Sequence, residues 1–477
     1  MKVHSQKALS ILLAAVMLFT AFTPAFAATP VETWNGYIET ADAKAGIIMF
    51  PGRNDTERNF SWYTDENATP EIRLSLSADM SDAESFTGYT EQSYYGNYSN
   101  KVTLTGLEQG KTYYYQCISG SFKSQVYSFV TDNDDSFTAM YVTDIHVSYD
   151  EKNPAHLHET AYNFDMTVNE ALETNGDISL ILSAGDQASE GLQSEYIGLA
   201  ATPNVKSIPI ATTIGNHDRK GVEYKTFTNL PNEQNMLVSS YVGSNYYFVK
   251  NNVLFLVMDS NNASAIDHRN FVKKAVKENP DVNWKVMMFH HDLYGGRIPH
   301  RESENALLRI LWAPIADEFG IDLVLMGHSH YYTVSNVMYN NKTVAPVTNG
   351  GTVTDPAGTV YMVSGSLNRP RNDDDISLGE NVGIEYLTQD KIYNLIDFTE
   401  DSITVKSYAI ESDACFSSFT IEKSSKDGGH SDKMPPLYNF IVRFIGTVYA
   451  VFNNIGVYDD LKNDKGYNVK FFELLFG

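Results

Sequence analysis

The sequence predicts an α/β fold, a layered sandwich preceded by an all-β domain, and three observations carry that reading. Between residues 137 and 410, apolar runs of strand length alternate with longer stretches of helical period. Between 34 and 132 only short β-rich runs occur, separated by Gly, Asn and Asp. Five apolar runs of the later region stop at clusters of metal-ligating residue types. In an open α/β sheet the crevice outside the carboxyl ends of the strands is where ligands bind.

In chain order, Met1 to Ala27 carries Lys2 and Lys7, an apolar run from Ala8 to Phe22, and then Ala25-Phe26-Ala27. That is the layout of a secretory signal with a small-x-small cleavage site over residues 1–27. The run is short for an anchor and no stop-transfer pattern follows, so a secreted, extracellular or cell-surface protein is expected. At 477 residues the chain exceeds one ordinary core. Its 43% hydrophobic and 20% charged residues are those of a globular protein.

A formal net charge of −24 argues against nucleic acid and anionic membrane as partners. An anionic substrate must then be drawn in by local positive charge, which a pair of divalent metals would supply. Two cysteines occur, Cys117 and Cys415; they could pair and tie the first domain to the last strand, or remain two separate thiols.

The β-domain, residues 34–132, has strand candidates at Ile47 to Phe50, Ile72 to Leu76, Val102 to Leu107 with a break at Gly106, and Tyr113 to Cys117. Thr131 to Ser136 is a polar, acidic link without the Gly and distal Glu of a calcium loop. The later region, 137–410, has helix candidates at Pro154 to Leu172, Ile266 to Lys277 and Ser303 to Phe319. It adds strands at Val253 to Met258 and Val360 to Val363, and a hairpin of Ile392 to Phe398 with Ser402 to Ile410. After a Ser, Lys, Asp and Gly-rich linker, a helical tail over 434–477 repeats apolar residues from Leu437 to Phe452. Arg443 is the only cation on that face, so membrane contact by the tail is not expected.

The five strand ends are Asp144-Ile145-His146, Gly185-Asp186, Gly215-Asn216-His217-Asp218, His290-His291 and Gly327-His328-Ser329-His330. Together and in this order they resemble the motif set of the calcineurin-like metallophosphoesterases. The stretch Leu104 to Tyr113 is similar to the late strands of a fibronectin type III domain, which purple acid phosphatases carry before their catalytic domain. The resemblance implies a four-layer αββα metallophosphoesterase sandwich behind a fibronectin type III-like sandwich. A generic β-spacer or carbohydrate-facing domain is the alternative for the first part.

The resemblance also implies two metal ions. Asp144, His146, Asp186 and His330 would hold the first; Asp186, Asn216, His290 and His328 would hold the second. Carboxylate, amide and imidazole suit iron, manganese or zinc without choosing among them. A shared Asp186 would keep the ions roughly 3.5–4 Å apart, with a bridging hydroxide as the nucleophile. An isolated histidine is more often a satisfied core or surface imidazole. That reading fits His4, His156, His158, His268 and His430, which lie outside the motifs.

His290 is taken as a ligand because Tyr294 follows it at the purple acid phosphatase spacing; His291 is then behind the ligands or faces substrate. His217 would stabilise charge or protonate the leaving alkoxide, with Asp218 orienting it or serving as a turn carboxylate. His300 occupies the position of another substrate-contacting histidine. Two departures matter: Ser189 stands where the purple enzymes have a tyrosine ligand, and His146 is a histidine they lack. A tyrosinate-to-iron colour is therefore not expected.

The expected function is a metal-dependent hydrolase of small-molecule phosphate monoesters, with no protein partner evident. A phosphodiesterase or nucleotidase of the same fold is the alternative. From another class, a non-catalytic surface-binding protein would need a broken ligand position, and none is found.

Overall fold

The computed structural model describes residues 30–132, 136–234, 245–262, 264–295, 304–370, 379–386, 390–410, 414–426 and 428–430. The expected signal over 1–27, the tail over 434–477 and His300 lie outside the described residues. A helix, Pro30–Tyr37, belongs to a first unit ending at Thr40, and the chain from Ala41 forms a second. Among the described residues no helix is long and apolar enough to cross a membrane.

The β-domain is a sandwich. One sheet has the spatial order Ile48–Pro51, Arg58–Thr64, Tyr98–Leu104, Tyr89–Gln92. The other runs Glu84–Thr87, Glu71–Ser75, Thr112–Ser119, Phe122–Lys123, with Tyr127–Val130 pairing the far part of Thr112–Ser119. Thr112–Ser119 alternates strictly, turning Tyr113, Tyr115 and Cys117 inward onto Phe60, Trp62, Val102 and Phe129. Cys117 is buried there and Cys415 is exposed on a strand of the catalytic domain; both are free thiols, so the pairing does not occur. The expected strand from Val102 to Leu107 begins earlier and stops at Leu104, ahead of Gly106 at φ +76°.

The catalytic region contains two seven-stranded sheets. The first has the order Ile210–Thr212, Ile178–Ser183, Phe137–Val142, Ile392–Phe398, Ser402–Ala409, Ala414–Glu422, Gly351–Thr354. The second runs Tyr246–Lys250, Val253–Val257, Trp284–Met288, Leu323–Met326, Val360–Val363, Tyr332–Ser335, Val382–Tyr386. One buried cluster takes residues from both, among them Leu180, Leu182 and Ala211 of the first and Phe255, Val286 and Leu325 of the second, so the sheets pack face to face.

Helix Ala155–Thr174 lies outside the first sheet, its Thr174 hydroxyl 2.7 Å from that of Tyr393. Helices Ala265–Glu278 and Glu304–Phe319 cover the second through Phe271, Val272, Leu311 and Trp312 on Leu254, Met287 and Val324. These are the four layers. The first sheet continues past the expected limit at 410. Ala414–Glu422 pairs antiparallel with Ser402–Ala409, and its Ser-rich alternation hides it from a search for apolar runs.

In the first sheet Phe137–Val142, Ile178–Ser183 and Ile210–Thr212 are parallel neighbours, and in the second Trp284–Met288 and Leu323–Met326 are. Their carboxyl ends meet. The Tyr141 hydroxyl bonds the Met326 carbonyl, and Thr213 Oγ1 donates to Met258 O at 2.7 Å.

The sandwich is fastened to this domain by buried polar contacts. Arg58–Thr64 is buried along its whole length. Its Tyr63 hydroxyl donates to Glu223 Oε1 at 2.9 Å and its Asn59 Nδ2 to Asn229 O at 3.0 Å. Asn229 Nδ2 in return donates to Phe60 O at 3.0 Å. Tyr63→Phe keeps the ring but removes one donor from the buried Glu223 carboxylate. The expected loss is about 1–3 kcal/mol of stability, read as a lower urea midpoint with an unchanged m-value.

Candidate metal centre

Three of the five motifs turn the chain sharply where a strand ends. Asp144, His146, Asp186, His328 and His330 all have left-handed backbones, with φ of 51°, 50°, 52°, 72° and 62°. Such a conformation costs on the order of 1–2 kcal/mol per residue, although Asp and His enter it more readily than most. Backbone bonds over-determine it: Asp144 N to Gly185 O at 3.0 Å, His146 N to Asp186 O at 2.9 Å, and Gly327 N to His290 O at 2.8 Å.

The motif glycines make room for the ligands. A Cβ on Gly185 would stand 2.5 Å from His290 Nδ1. One on Gly215 would stand 2.0 Å from Asp186 Oδ1, and one on Gly327 would be 1.9 Å from Thr143 Oγ1 and 2.6 Å from Asp144 Oδ2. No side chain fits at those distances.

The ligand atoms converge in overlapping groups: Asp144 with His146 and His330, Asp144 with Asp186 and His290, and His146 with Asp186 and His217. His330 Nε2 is 3.0 Å from Asp144 Oδ1, and His146 Nε2 is 3.7 Å from both Asp144 Oδ1 and Asp186 Oδ2. On the other side His290 Nε2 is 3.3 Å from Asp186 Oδ2 and 3.0 Å from Asn216 Oδ1, which His328 Nδ1 approaches to 2.9 Å. Asp186 thus lies between an Asp144, His146, His330 set and an Asn216, His290, His328 set.

The donor atoms fit cations. His290 Nδ1 is 2.9 Å from Ala184 O and His330 Nδ1 is 2.7 Å from Arg369 O, which places the neutral-ring proton on Nδ1 and turns a bare Nε2 inward. The Nε2 atoms of His146 and His330 face each other at 3.3 Å, and the buried Asp144 Oδ1 accepts no hydrogen bond. Lone pairs crowded in this way are what a cation between them would satisfy.

Charge within the site is balanced locally. Burial alone would raise Asp144 and Asp186, yet the neighbouring imidazoles hold both below the ordinary range, His330 first for Asp144 and His290 first for Asp186, the latter at about 2. Burial would lower His290, but Asp186 and Asp144 reverse the effect and bring it to about 10. For His146 burial prevails over the same carboxylates and the ring is pushed well down.

The other expected residues divide. His217 is half-buried, its ring edge-on to His146 with centroids 4.8 Å apart, and its Nδ1 lies 2.7 Å from Ser189 O and 2.9 Å from Lys220 Nζ. Asp218 makes no bond to that ring. Its buried carboxylate accepts from the backbone of Gln187, Ala188 and Gly215 at 3.3, 3.0 and 2.8 Å and from the Tyr196 hydroxyl at 3.0 Å. It ties the loop after Asp186 to the loop of Asn216, the turn-carboxylate alternative. Burial, with the Asp186 charge second, lifts it to about 7. His291 is buried behind the ligands, its Nδ1 2.7 Å from Ser260 Oγ and its ring 4.5 Å from that of His328.

Sequence reasoning missed three contributors. Thr143 Oγ1 donates to Asp144 Oδ2 at 2.8 Å. Ser189 supports His217 through its carbonyl, and Arg369 supports His330 the same way while its Nη2 donates to Ser189 Oγ at 3.0 Å. Main-chain carbonyls carry no residue signature, so nothing in the sequence marks two of these contacts.

Comparison with known proteins was made on this geometry. Residues 137–332 match the family model of the calcineurin-like phosphoesterases, and residues 45–131 match that of the purple acid phosphatase N-terminal domain. A purple acid phosphatase of Glycine max is 24% identical over 298 residues, and the chain spans 60% of that relative's length, using 57% of its own. Among solved structures, a purple acid phosphatase isolated from yellow lupin (Lupinus luteus) seeds is similar with a TM-score of 0.63 at 14% identity. That match covers 82% of this chain and 76% of the lupin chain. The structure of PhoD is similar with a TM-score of 0.55 at 11% identity, covering 87% and 98%. At these identities the likeness is one of fold.

Gly215→Ala should abolish stoichiometric metal binding, because the new Cβ falls on Asp186, while the circular dichroism spectrum stays native. Elemental mass spectrometry after dialysis against manganese or zinc reads the outcome.

Proposed function

For a chain that carries a calcineurin-like phosphoesterase domain behind a purple acid phosphatase N-terminal domain, we propose the hydrolysis of phosphate monoesters at a dinuclear metal centre. The carrying observation is the position of Asp186. Its Oδ2 faces His146 on one side and His290 on the other, so one buried carboxylate serves both ligand sets. Asp144, His146, Asp186 and His330 would hold the first ion; Asp186, Asn216, His290 and His328 would hold the second. When bound, such a pair supplies Lewis acidity towards phosphoryl oxygens and a nucleophile at neutral pH.

The residues of the chain do the rest. The left-handed turns fix the ligands before substrate arrives, and the Ala184 and Arg369 carbonyls hold two of the imidazoles in one tautomer. His217, outside both ligand sets and anchored on Ser189 O, stabilises the charge that develops on the phosphoryl group or the departing oxygen. His291 props His328 and does not meet substrate. His300 is retained as a candidate substrate contact. Ser189, bonded to the Arg369 guanidinium, stands at the position of the purple enzymes' tyrosine, so no tyrosinate colour is expected, while the donor set suits iron, manganese or zinc alike.

Export through the 1–27 segment is part of this reading, placing the enzyme outside the cytoplasm.

Assay with p-nitrophenyl phosphate and with its bis-ester after metal supplementation tests the reaction; faster turnover of the bis-ester would move the assignment to a phosphodiesterase. Asp186→Asn should lose both metal and turnover. His217→Ala should keep two ions per chain while kcat falls about 10²–10⁴-fold, the usual worth of a positioned acid or donor; unchanged kcat would remove His217 from the mechanism.

A further inference from the structure

We propose that Arg369 is a phosphoryl-binding residue of this site, and that its guanidinium favours dianionic monoesters over monoanionic diesters. The proposal rests on the phosphoesterase reading and adds a residue that no ligand motif contains.

Three observations place Arg369 at the site. The Arg369 carbonyl accepts from His330 Nδ1 at 2.7 Å, so the residue abuts the first ligand set. Its Nη2 donates to Ser189 Oγ at 3.0 Å, while the carbonyl of the same serine holds His217 Nδ1 at 2.7 Å. One residue therefore clips the guanidinium and the His217 ring to the same side of the centre. Finally, Arg369 pairs with no carboxylate among the described residues, in a chain with 59 acidic and 35 basic side chains.

The neighbouring cation differs. Lys220 Nζ donates to Glu190 Oε1 at 2.8 Å and to Ser189 O at 3.1 Å. Glu190 cancels its charge, so this ammonium is already committed to a carboxylate. Among the described residues Arg369 spends one of its five N–H groups, on the serine, and offers the rest of a planar fork, the geometry that matches two phosphoryl oxygens. A monoester dianion offers more charge and one more free oxygen to that fork than a diester does.

The test is inorganic phosphate binding by calorimetry to zinc-loaded full-length protein, alongside the two p-nitrophenyl esters. Arg369→Met should weaken phosphate about tenfold or more, as expected for a lost charged hydrogen bond. It should lower kcat/KM for the monoester by a similar factor, change the diester less than about threefold, and leave two zinc ions per chain. Arg369→Lys, which keeps the charge without the fork, should recover part of the phosphate affinity. Unchanged phosphate affinity in Arg369→Met, or equal losses on both esters together with loss of zinc, would overturn the assignment and leave only a structural role through the carbonyl. If the wild type binds phosphate through Arg369 but hydrolyses neither ester, the phosphoesterase reading fails and the binding role stands.

Discussion

The whole centre depends on keeping Asp186 charged while almost entirely buried. An isolated carboxylate removed from water is unaffordable unless cations or hydrogen-bond donors surround it. Here the His217 backbone N–H donates to Oδ1 at 2.7 Å, and the His290 and His146 rings face Oδ2 at 3.3 and 3.7 Å, where a bound cation would complete the shell. No single sheet could supply them. Asp186 follows a strand of the first sheet and His290 a strand of the second, so the face-to-face packing of the sheets is what closes the shell. The large shared core between the sheets therefore acts on the site directly, by setting how far apart the two rows of strand ends stand.

The glycines and the left-handed turns are two aspects of that closure. Where ligand loops converge this tightly, one loop must lack a Cβ so that another can bring its side chain through, as Gly215 does for Asp186 and Gly185 for His290. The turning residue is itself a ligand at five positions, so its side chain leaves the strand end pointing across the crevice. Backbone strain and ligand direction have the same origin.

Such compactness made the ligand set legible in the sequence. Each block is local, a buried strand followed by a turn with chemistry on it, and the amphipathic helices declared themselves through their period. What escaped lay in contacts between distant segments. Asp218 looked like a partner for the adjacent His217, but its four donors lie elsewhere, two in the loop after Asp186, one at Gly215 and one at the Tyr196 hydroxyl. The supports of His217 and His330 are carbonyls of Ser189 and Arg369, where residue type is irrelevant to the bond. Arg58–Thr64 has a polar outward face because a second domain covers it, and Ala414–Glu422 has Ser417 and Ser418 at its middle; neither has the continuous apolar run of a buried strand.

The covered strand bears on why the β-domain is present at all. Its contacts do not end at a remote patch of the catalytic domain. Tyr63 bonds Glu223, Glu223 bonds Gln193 at 3.0 Å, and Gln193 bonds Asn97 of the sandwich at 2.9 Å. Gln193 lies just beyond the loop of Ser189, Glu190 and Gly191; Glu223 lies just beyond His217 to Lys220. The two loops are pressed together, since a Cβ on Gly191 would stand 2.5 Å from Asp218 O. Asp218 then passes the restraint to the backbone beside Asp186. The sandwich thus grips the two loops that position His217, and a domain attached as a mere spacer would have no reason to bury its polar contacts at that rim.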